Sequence, residues 1–76
     1  PASHRGRGIG AALLGRAEEE ARAAGRTLLV LDTVAGSAGD RLYRRSGWTP
    51  FGTVPGYALM PDGAPAAATF FYKNLA

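Results

Sequence analysis

The chain has 76 residues, a hydrophobic content of 46% and a formal net charge of +3 from nine Lys and Arg against six Asp and Glu. This composition excludes a disordered chain, which needs few apolar residues and a high net charge. The absence of cysteine excludes thiol catalysis and disulfides, and a single histidine argues against a structural zinc site. No apolar run approaches the roughly 20 residues that a membrane-spanning helix needs.

A glycine-rich stretch comes first, with Gly6, Gly8 and Gly10 at alternate positions. Glycines at this spacing favour neither helix interior nor strand, so we predict a loop over residues 4–10. Apolar residues then recur every three or four positions among Ala, Leu, Glu and Arg, which are strong helix formers. This pattern predicts an amphipathic helix over about 8–24.

A loop of this kind in front of a helix is suited to an anion. The first amides of a helix are free and lie at its positive end, and Arg5 and Arg7 add charge that pairs with phosphate. A dinucleotide-binding fingerprint requires a strand directly before the glycine loop, and residues 1–4 do not form a strand pattern. A Walker A loop requires Gly-Lys-Ser/Thr, which does not occur here. The alternative interpretation is a surface turn made flexible by glycine.

The middle of the chain predicts a strand and a short helix. The apolar run over 27–31 does not alternate, which is typical of a central strand covered on both faces. A helix over about 38–46 follows, with Ser37 as N-cap and Asp40 in the position of a capping-box acid. Gly47 is the expected stop of this helix.

The last third predicts a hairpin. Residues 48–54 are strand-like, although Pro50 requires an edge strand or a bulge. Residues 57–60 continue in extended form, and Pro61-Asp62-Gly63 predicts a turn. A further strand covers 69–73, so the order of elements predicts an α/β domain with the first strand in the centre and an antiparallel hairpin beside it.

Two motifs together resemble those of one family. Arg5-x-x-Gly8-x-Gly10, followed by the helix and the strand, resembles the acetyl-CoA-binding motif of the GNAT acyltransferase superfamily. The segment 42–48, Leu-Tyr-Arg-Arg-Ser-Gly-Trp, looks like the family's Leu-Tyr-x-x-x-Gly-aromatic segment. The closing residues resemble the hairpin of a bacterial subgroup that includes tabtoxin-resistance-type acetyltransferases.

The resemblance implies a fold and an extent. Residues 1–76 look like the C-terminal part of the GNAT fold, a glycine-loop helix packed on a mixed sheet that ends in an antiparallel hairpin, with no second domain. The family has further strands and helices before the glycine loop, so we expect this to be a partial acetyltransferase domain. The N-terminal half or a homodimer partner would then complete it, and cytoplasmic localisation is the default.

The resemblance also implies an activity, direct acetyl transfer from acetyl-CoA to an amine of a small molecule or peptide, without a metal. Tyr43 occupies the position where the family often carries the general acid that protonates the CoA thiolate. The resemblance assigns CoA binding to one stretch of backbone and its side chains: Arg5, Gly6, Arg7, Gly8, Ile9, Gly10 and Ala11. Nucleic-acid and membrane partners are not expected.

Departures and alternatives complete the prediction. The family often has an Asn at the position of Gly36, whose side chain contacts CoA. Ser37 is the candidate to replace that contact. Arg44 is a candidate to bind the CoA 3′-phosphate. Tyr43 is alternatively a core residue, and Asp32 is expected to bond structurally to the following loop. A rival hypothesis is a non-catalytic CoA-binding half-domain that assembles with another chain, because an open sheet edge invites pairing.

Overall fold

The computed structural model describes residues 2–76, with side chains from Gly10 onward. Its elements confirm the predicted α/β class. In chain order they are helix α1 (Ala2–Ala23), strand β1 (Leu28–Val34), helix α2 (Ala38–Arg45), strand β2 (Thr49–Leu59) and strand β3 (Pro65–Asn74). The chain divides into two compact units, residues 1–29 with 74–76, and residues 30–73.

Helix α1 is longer than the sequence predicts. It is assigned from Ala2, so the glycine stretch over 4–10 belongs to the helix, and the predicted loop and the start near residue 8 are wrong. Glycine costs a helix about 1 kcal/mol relative to alanine but causes no steric conflict, unlike proline. Each added residue also gains a hydrogen bond once the helix is nucleated.

Helix α1 ends at Ala23, within one residue of the predicted end near residue 24. Gly25 has a φ of 82°, its N–H donates to the Arg22 carbonyl at 2.9 Å, and the Arg26 N–H donates to the Ala21 carbonyl at 2.9 Å. These two bonds form a Schellman motif, which satisfies carbonyls that the last turn leaves free. In the same unit, the Leu75 N–H donates to the carbonyl of Thr27 at 2.8 Å.

The sheet has three strands in the order β1-β3-β2, so β3 and not β1 lies in the middle. The prediction of a central first strand is therefore wrong among the described residues. Burial along β1 alternates, and Leu28 and Val30 are exposed, whereas Ala68 and Phe71 of β3 are fully buried. A continuous apolar run does not distinguish a strand with two neighbours from an edge strand with one open face.

Strands β2 and β3 form the predicted antiparallel hairpin, with Thr49 opposite Tyr72 and Leu59 opposite Pro65. The register shifts twice, between positions 50 and 52 and between 54 and 58. β2 is an edge strand with a register shift beside Pro50, which agrees with what proline allows. The pairing described here is antiparallel, and the parallel pair that a mixed sheet requires is not among these three strands.

A tight turn joins β2 to β3. The Gly63 N–H donates to the Met60 carbonyl and the Met60 N–H to the Ala64 carbonyl, both at 2.8 Å, and Gly63 has a φ of 88°. Only glycine adopts such a φ without strain, so the predicted Pro-Asp-Gly turn is confirmed.

Neither helix, over the part of the chain that the structure describes, is long and apolar enough to cross a membrane.

Candidate functional site

The start of α2 is closed by side chains of the preceding loop. Ser37 is the N-cap as predicted, since its Oγ accepts a hydrogen bond from the Asp40 N–H at 3.3 Å. The Ser37 Oγ also lies 3.2 Å from the Oγ1 of Thr33. Gly36, where the family often has Asn, has a φ of 77°. The loop therefore turns sharply into the helix and satisfies one of its first amides, that of Asp40.

Asp40 is the polar centre of this region. It is only 5% exposed, and its carboxylate accepts hydrogen bonds from the Nε of Arg44 and, at 2.9 Å, from the N–H of Gly36. The bond from Arg44 and the bond from the Gly36 amide lower the pKa of the carboxyl below its usual 3.8, against the opposing effect of burial. The carboxylate is thus held charged inside the protein.

Tyr43 lies one residue before Arg44 and its ring packs between two aromatic rings. The ring centroids of Tyr43 and Trp48 are 5.9 Å apart, and the Phe71 ring meets Tyr43 edge-on at 5.5 Å. Trp48 and Phe71 are both buried, so the Tyr43 ring packs against the core. The Trp48 N–H also donates to the Tyr43 carbonyl at 3.0 Å, so backbone and ring are both fixed.

The Tyr43 hydroxyl, in contrast, is free within residues 10–76, where it makes no hydrogen bond. Tyr43 is half-buried, and among the described side chains no buried polar atom lacks a partner. The hydroxyl therefore reaches solvent. A ring fixed by packing with an open, unpaired hydroxyl is the geometry that proton donation to a ligand requires.

Arg44 extends the site with positive charge. Its guanidinium carbon lies 5.5 Å from the centre of the Phe71 ring, and its side chain is about half exposed, at 53%. The Nε is bonded to Asp40, while the Nη groups make no hydrogen bond within residues 10–76. These N–H groups are available to an anion. At the end of α2, Lys73 Nζ donates to the Ser46 carbonyl at 2.9 Å.

The structure brings together three of the predicted site residues, Ser37, Tyr43 and Arg44, at and on α2. Gly10 and Ala11 lie on α1 in the other compact unit. The remaining predicted contacts belong to residues whose side chains lie outside the described ones: Arg5, Gly6, Arg7, Gly8 and Ile9. Their assignment to CoA binding stays a prediction.

Two acidic residues differ from expectation. Asp32 is exposed and its carboxylate makes no hydrogen bond within residues 10–76, so its expected bond to the following loop, residues 33–37, is not formed. Asp40 was predicted only as a capping-box acid, and its central position was missed. The available signal was Arg44 four residues later, which places the two side chains on one helix face.

Comparison with known proteins identifies the family. A family model described as "Acetyltransferase (GNAT) family" matches residues 2–48, which is more than half of the chain. The chain therefore belongs to the GNAT acetyltransferase family. The match includes both the glycine stretch and α2 with Tyr43.

Solved structures agree with this assignment. A putative acetyltransferase of Salmonella typhimurium, solved with its cofactor acetyl-CoA, is 29% identical, with a TM-score of 0.80, over 97% of this chain and 43% of its own. A putative phosphinothricin N-acetyltransferase is 27% identical, with a TM-score of 0.78, over 95% of this chain and 46% of its own. The ribosomal-protein-alanine N-acetyltransferase of Brucella melitensis is 31% identical, with a TM-score of 0.75, over 88% and 41%.

This chain thus spans less than half the length of the solved structures that it matches. The similarity covers nearly all of the chain and supports the fold prediction, a C-terminal part of the GNAT fold. The phosphinothricin neighbour also gives partial support to the predicted bacterial subgroup.

Proposed function

We propose that the chain is the CoA-binding part of a cytoplasmic N-acetyltransferase, which transfers the acetyl group of acetyl-CoA directly to an amine of a small molecule or peptide. The observation that carries this proposal is the fixed Tyr43 ring with its free hydroxyl, on the helix that the family model includes. The acetyl-CoA in the Salmonella typhimurium structure supports the choice of acyl donor.

In this proposal Tyr43 holds the proton that the CoA sulfur takes up when acetyl leaves. General acid catalysis requires the donor hydroxyl to lie within hydrogen-bond reach of the atom that takes up the proton, here the CoA sulfur. Acetyl-CoA supplies the activated acetyl group. The ring positions of Trp48 and Phe71 support the role, because they leave the hydroxyl little freedom to move.

Anion binding is the second part of the proposal. CoA carries a pyrophosphate and a 3′-phosphate, and the donor chemistry of Arg44 fits them, since its Nη groups are unengaged within the described residues. The Ser37 hydroxyl already forms hydrogen bonds with the Thr33 hydroxyl and the Asp40 N–H. A contact with CoA would therefore use the hydrogen-bonding capacity that these two partners leave. Residues 5–11 are proposed for the pyrophosphate through the side chains of Arg5 and Arg7, because backbone amides inside helix α1 already donate hydrogen bonds along the helix.

The direct test is binding and transfer of acetyl-CoA. Thiol released from CoA reports the transfer, and residues 1–76 add no thiol of their own because they contain no cysteine. We expect acetyl-CoA binding by calorimetry, and thiol release with an amine panel from the domain completed by its N-terminal half, with little or no release from residues 1–76 alone. Absence of both contradicts the proposal, and binding without transfer to any amine supports the non-catalytic alternative below.

A matched set of glycine variants tests the binding site. Gly8→Leu and Gly10→Leu are expected to weaken acetyl-CoA binding by at least about tenfold, which is about 1.4 kcal/mol. Gly15→Leu is the control, because it lies in the same helix and a Cβ there meets nothing within 4 Å. Equal affinity in all three variants would remove the glycine stretch from the site.

A second candidate is a non-catalytic CoA-binding half-domain that assembles with another chain. One observation favours it: β1 is an edge strand of the described sheet, and its Leu28 and Val30 are exposed. Unpaired apolar edges invite strand pairing. A dimeric mass that Val30→Lys converts to a monomer, together with CoA binding but no transfer, is the result that this candidate predicts.

A further inference from the structure

We propose that Asp40 is a positioning residue for acetyl transfer, because its buried carboxylate ties the loop before α2 to Arg44 and thereby fixes Tyr43 against Phe71. The inference rests on the proposed function, since the position of Tyr43 matters for turnover only if its hydroxyl donates a proton. Asp40 itself is assigned no contact with the substrate.

The first step of the argument is burial. A carboxylate that is 5% exposed is strongly destabilising unless it is paired and hydrogen-bonded. Asp40 has two donors of different origin, the Gly36 amide at 2.9 Å and the Arg44 guanidinium. An exposed ion pair four residues apart on a helix contributes only a few tenths of a kcal/mol to stability. In the Asp40–Arg44 ion pair, however, the carboxylate is buried.

The second step concerns the loop. Both backbone polar groups of Gly36 are hydrogen-bonded. Its N–H donates to the Asp40 carboxylate, and its carbonyl accepts from the Nη1 of Arg41 at 2.9 Å. Gly36 also has a φ of 77°, so its peptide groups have a defined direction. The carboxylate of Asp40 therefore fixes where α2 begins relative to the end of β1.

The third step leads to Tyr43. Helix α2 has only eight residues, too few to be stable without tertiary contacts. Arg44 and Tyr43 are adjacent on it and contact the same Phe71 ring, each at 5.5 Å from its centre. Asp40 holds Arg44 over this ring, and the contact of Arg44 with Phe71 of β3 then limits the rotation of α2 about its axis. That rotation determines where the Tyr43 hydroxyl points.

The test begins with Asp40→Asn, which keeps an acceptor for the Gly36 amide and removes the charge that holds Arg44. We expect kcat to fall about tenfold while the KM for acetyl-CoA stays within about twofold, because a small displacement of a reacting group acts on the chemical step. Asp62→Asn is the control. It makes the same charge change at an exposed turn, where Asp62 accepts from the Ala64 N–H at 2.9 Å.

A double-mutant cycle separates positioning from a general loss of structure. In a Tyr43→Phe background, Asp40→Asn should lower kcat no further, since the hydroxyl that it positions is gone. A further tenfold fall in that background overturns the inference. If Tyr43→Phe leaves turnover unchanged, the proposed acid fails as well, whereas a normal rate in Asp40→Asn with a slow Tyr43→Phe overturns only the role of Asp40.

Two further measurements keep the inference testable if Asp40→Asn folds poorly or turnover is low. Arg44→Lys keeps the charge but loses the planar donor geometry, and it should reproduce the kcat defect together with a higher KM for acetyl-CoA, because Arg44 is also proposed to bind a CoA phosphate. Trp48 is the only tryptophan and lies 5.9 Å from Tyr43, so its fluorescence reports on this packing without any turnover. An emission spectrum changed by Asp40→Asn but not by Asp62→Asn is expected, and unchanged spectra in both contradict the inference.

Discussion

The two sides of strand β3 differ sharply although their residues are neighbours in sequence. Phe71 is fully buried at 0% exposure, with Tyr43 packed edge-on against it. Phe70 points to the other side, where its aromatic partners, Tyr57 at 5.1 Å and Phe51 at 6.2 Å, are 60% and 55% exposed. Both sides have aromatic contacts, but the ring of Phe71 is buried, whereas the rings of Phe51 and Tyr57 are exposed; these are called the closed side and the open side below.

The difference lies in the polar groups that accompany α2. On the Phe71 side, Ser37 caps the first turn, Asp40 binds Arg44, and Lys73 donates to the last turn. A helix can cover an apolar ring only when its own free amides and carbonyls find partners. The contrast teaches that the fixed geometry around Tyr43 depends on these polar contacts as well as on apolar packing.

The largest expected effect is on the closed side. Phe71→Ala should lower the free energy of unfolding by about 3–5 kcal/mol, because it removes a fully buried ring and leaves a cavity. Urea unfolding followed by Trp48 fluorescence measures it. Phe51→Ala, on the open side, is the matched control and should cost about 1 kcal/mol or less. Equal losses would remove the contrast between the two sides.

Acid should also act on the closed side. The pKa of Asp40 is lowered in the folded state, so the carboxylate contributes stability above the unfolded value of 3.8 and loses it as pH falls through the lower folded pKa. Asp40→Asn should therefore flatten the pH dependence of urea unfolding below about pH 4, whereas Asp62→Asn should leave it steep. A variant profile parallel to that of the parent chain would contradict this.

A smaller effect is expected where α2 ends. Gly47 has a φ of 85°, so Gly47→Ala should lower the free energy of unfolding by about 1 kcal/mol through backbone strain. Gly52 is the control, because it lies in β2 without a positive φ and a Cβ there meets nothing within 4 Å. Thermal unfolding of both alanine variants should show a lower midpoint for Gly47→Ala only.

The smallest effect on stability is expected on the open side. Tyr57→Ser should change the free energy of unfolding by about 0.5 kcal/mol or less, since the side chain is 60% exposed. It should reduce self-association at high protein concentration, because exposed aromatic patches favour it. Sedimentation of both proteins at matched concentrations checks this, and a large loss of stability would mean that the open side is part of the core.

The structural features that the sequence predicts correctly are those that depend on residues close together in the chain. Helix α2, its Ser37 cap and the Pro-Asp-Gly turn depend on neighbouring residues, and the sequence predicted them within about one residue. The position of β1 in the sheet depends on which strand lies beside it, and no local pattern contains that. The apolar run over 27–31 therefore led to the wrong strand order.

The site shows the same limit. Tyr43 and Arg44 were predicted through a motif, but the packing of the Tyr43 ring against Phe71 joins residues 28 positions apart and follows only from the fold. Asp40 was assigned to capping alone, because the sequence does not show that its carboxylate is buried. The start of α1 was wrong for another reason, since glycine spacing lowers helix propensity without forbidding a helix.

The most direct test of the central claim compares two tyrosines that differ only in their surroundings. Tyr43 is fixed between Trp48 and Phe71, and Tyr57 is on the open side. In the acetyl-CoA-dependent thiol-release assay, Tyr43→Phe should lower kcat by about a hundredfold, as expected for loss of a general acid, and Tyr57→Phe should stay within about twofold. Equal rates for the two variants would contradict the assignment of Tyr43 as the proton donor.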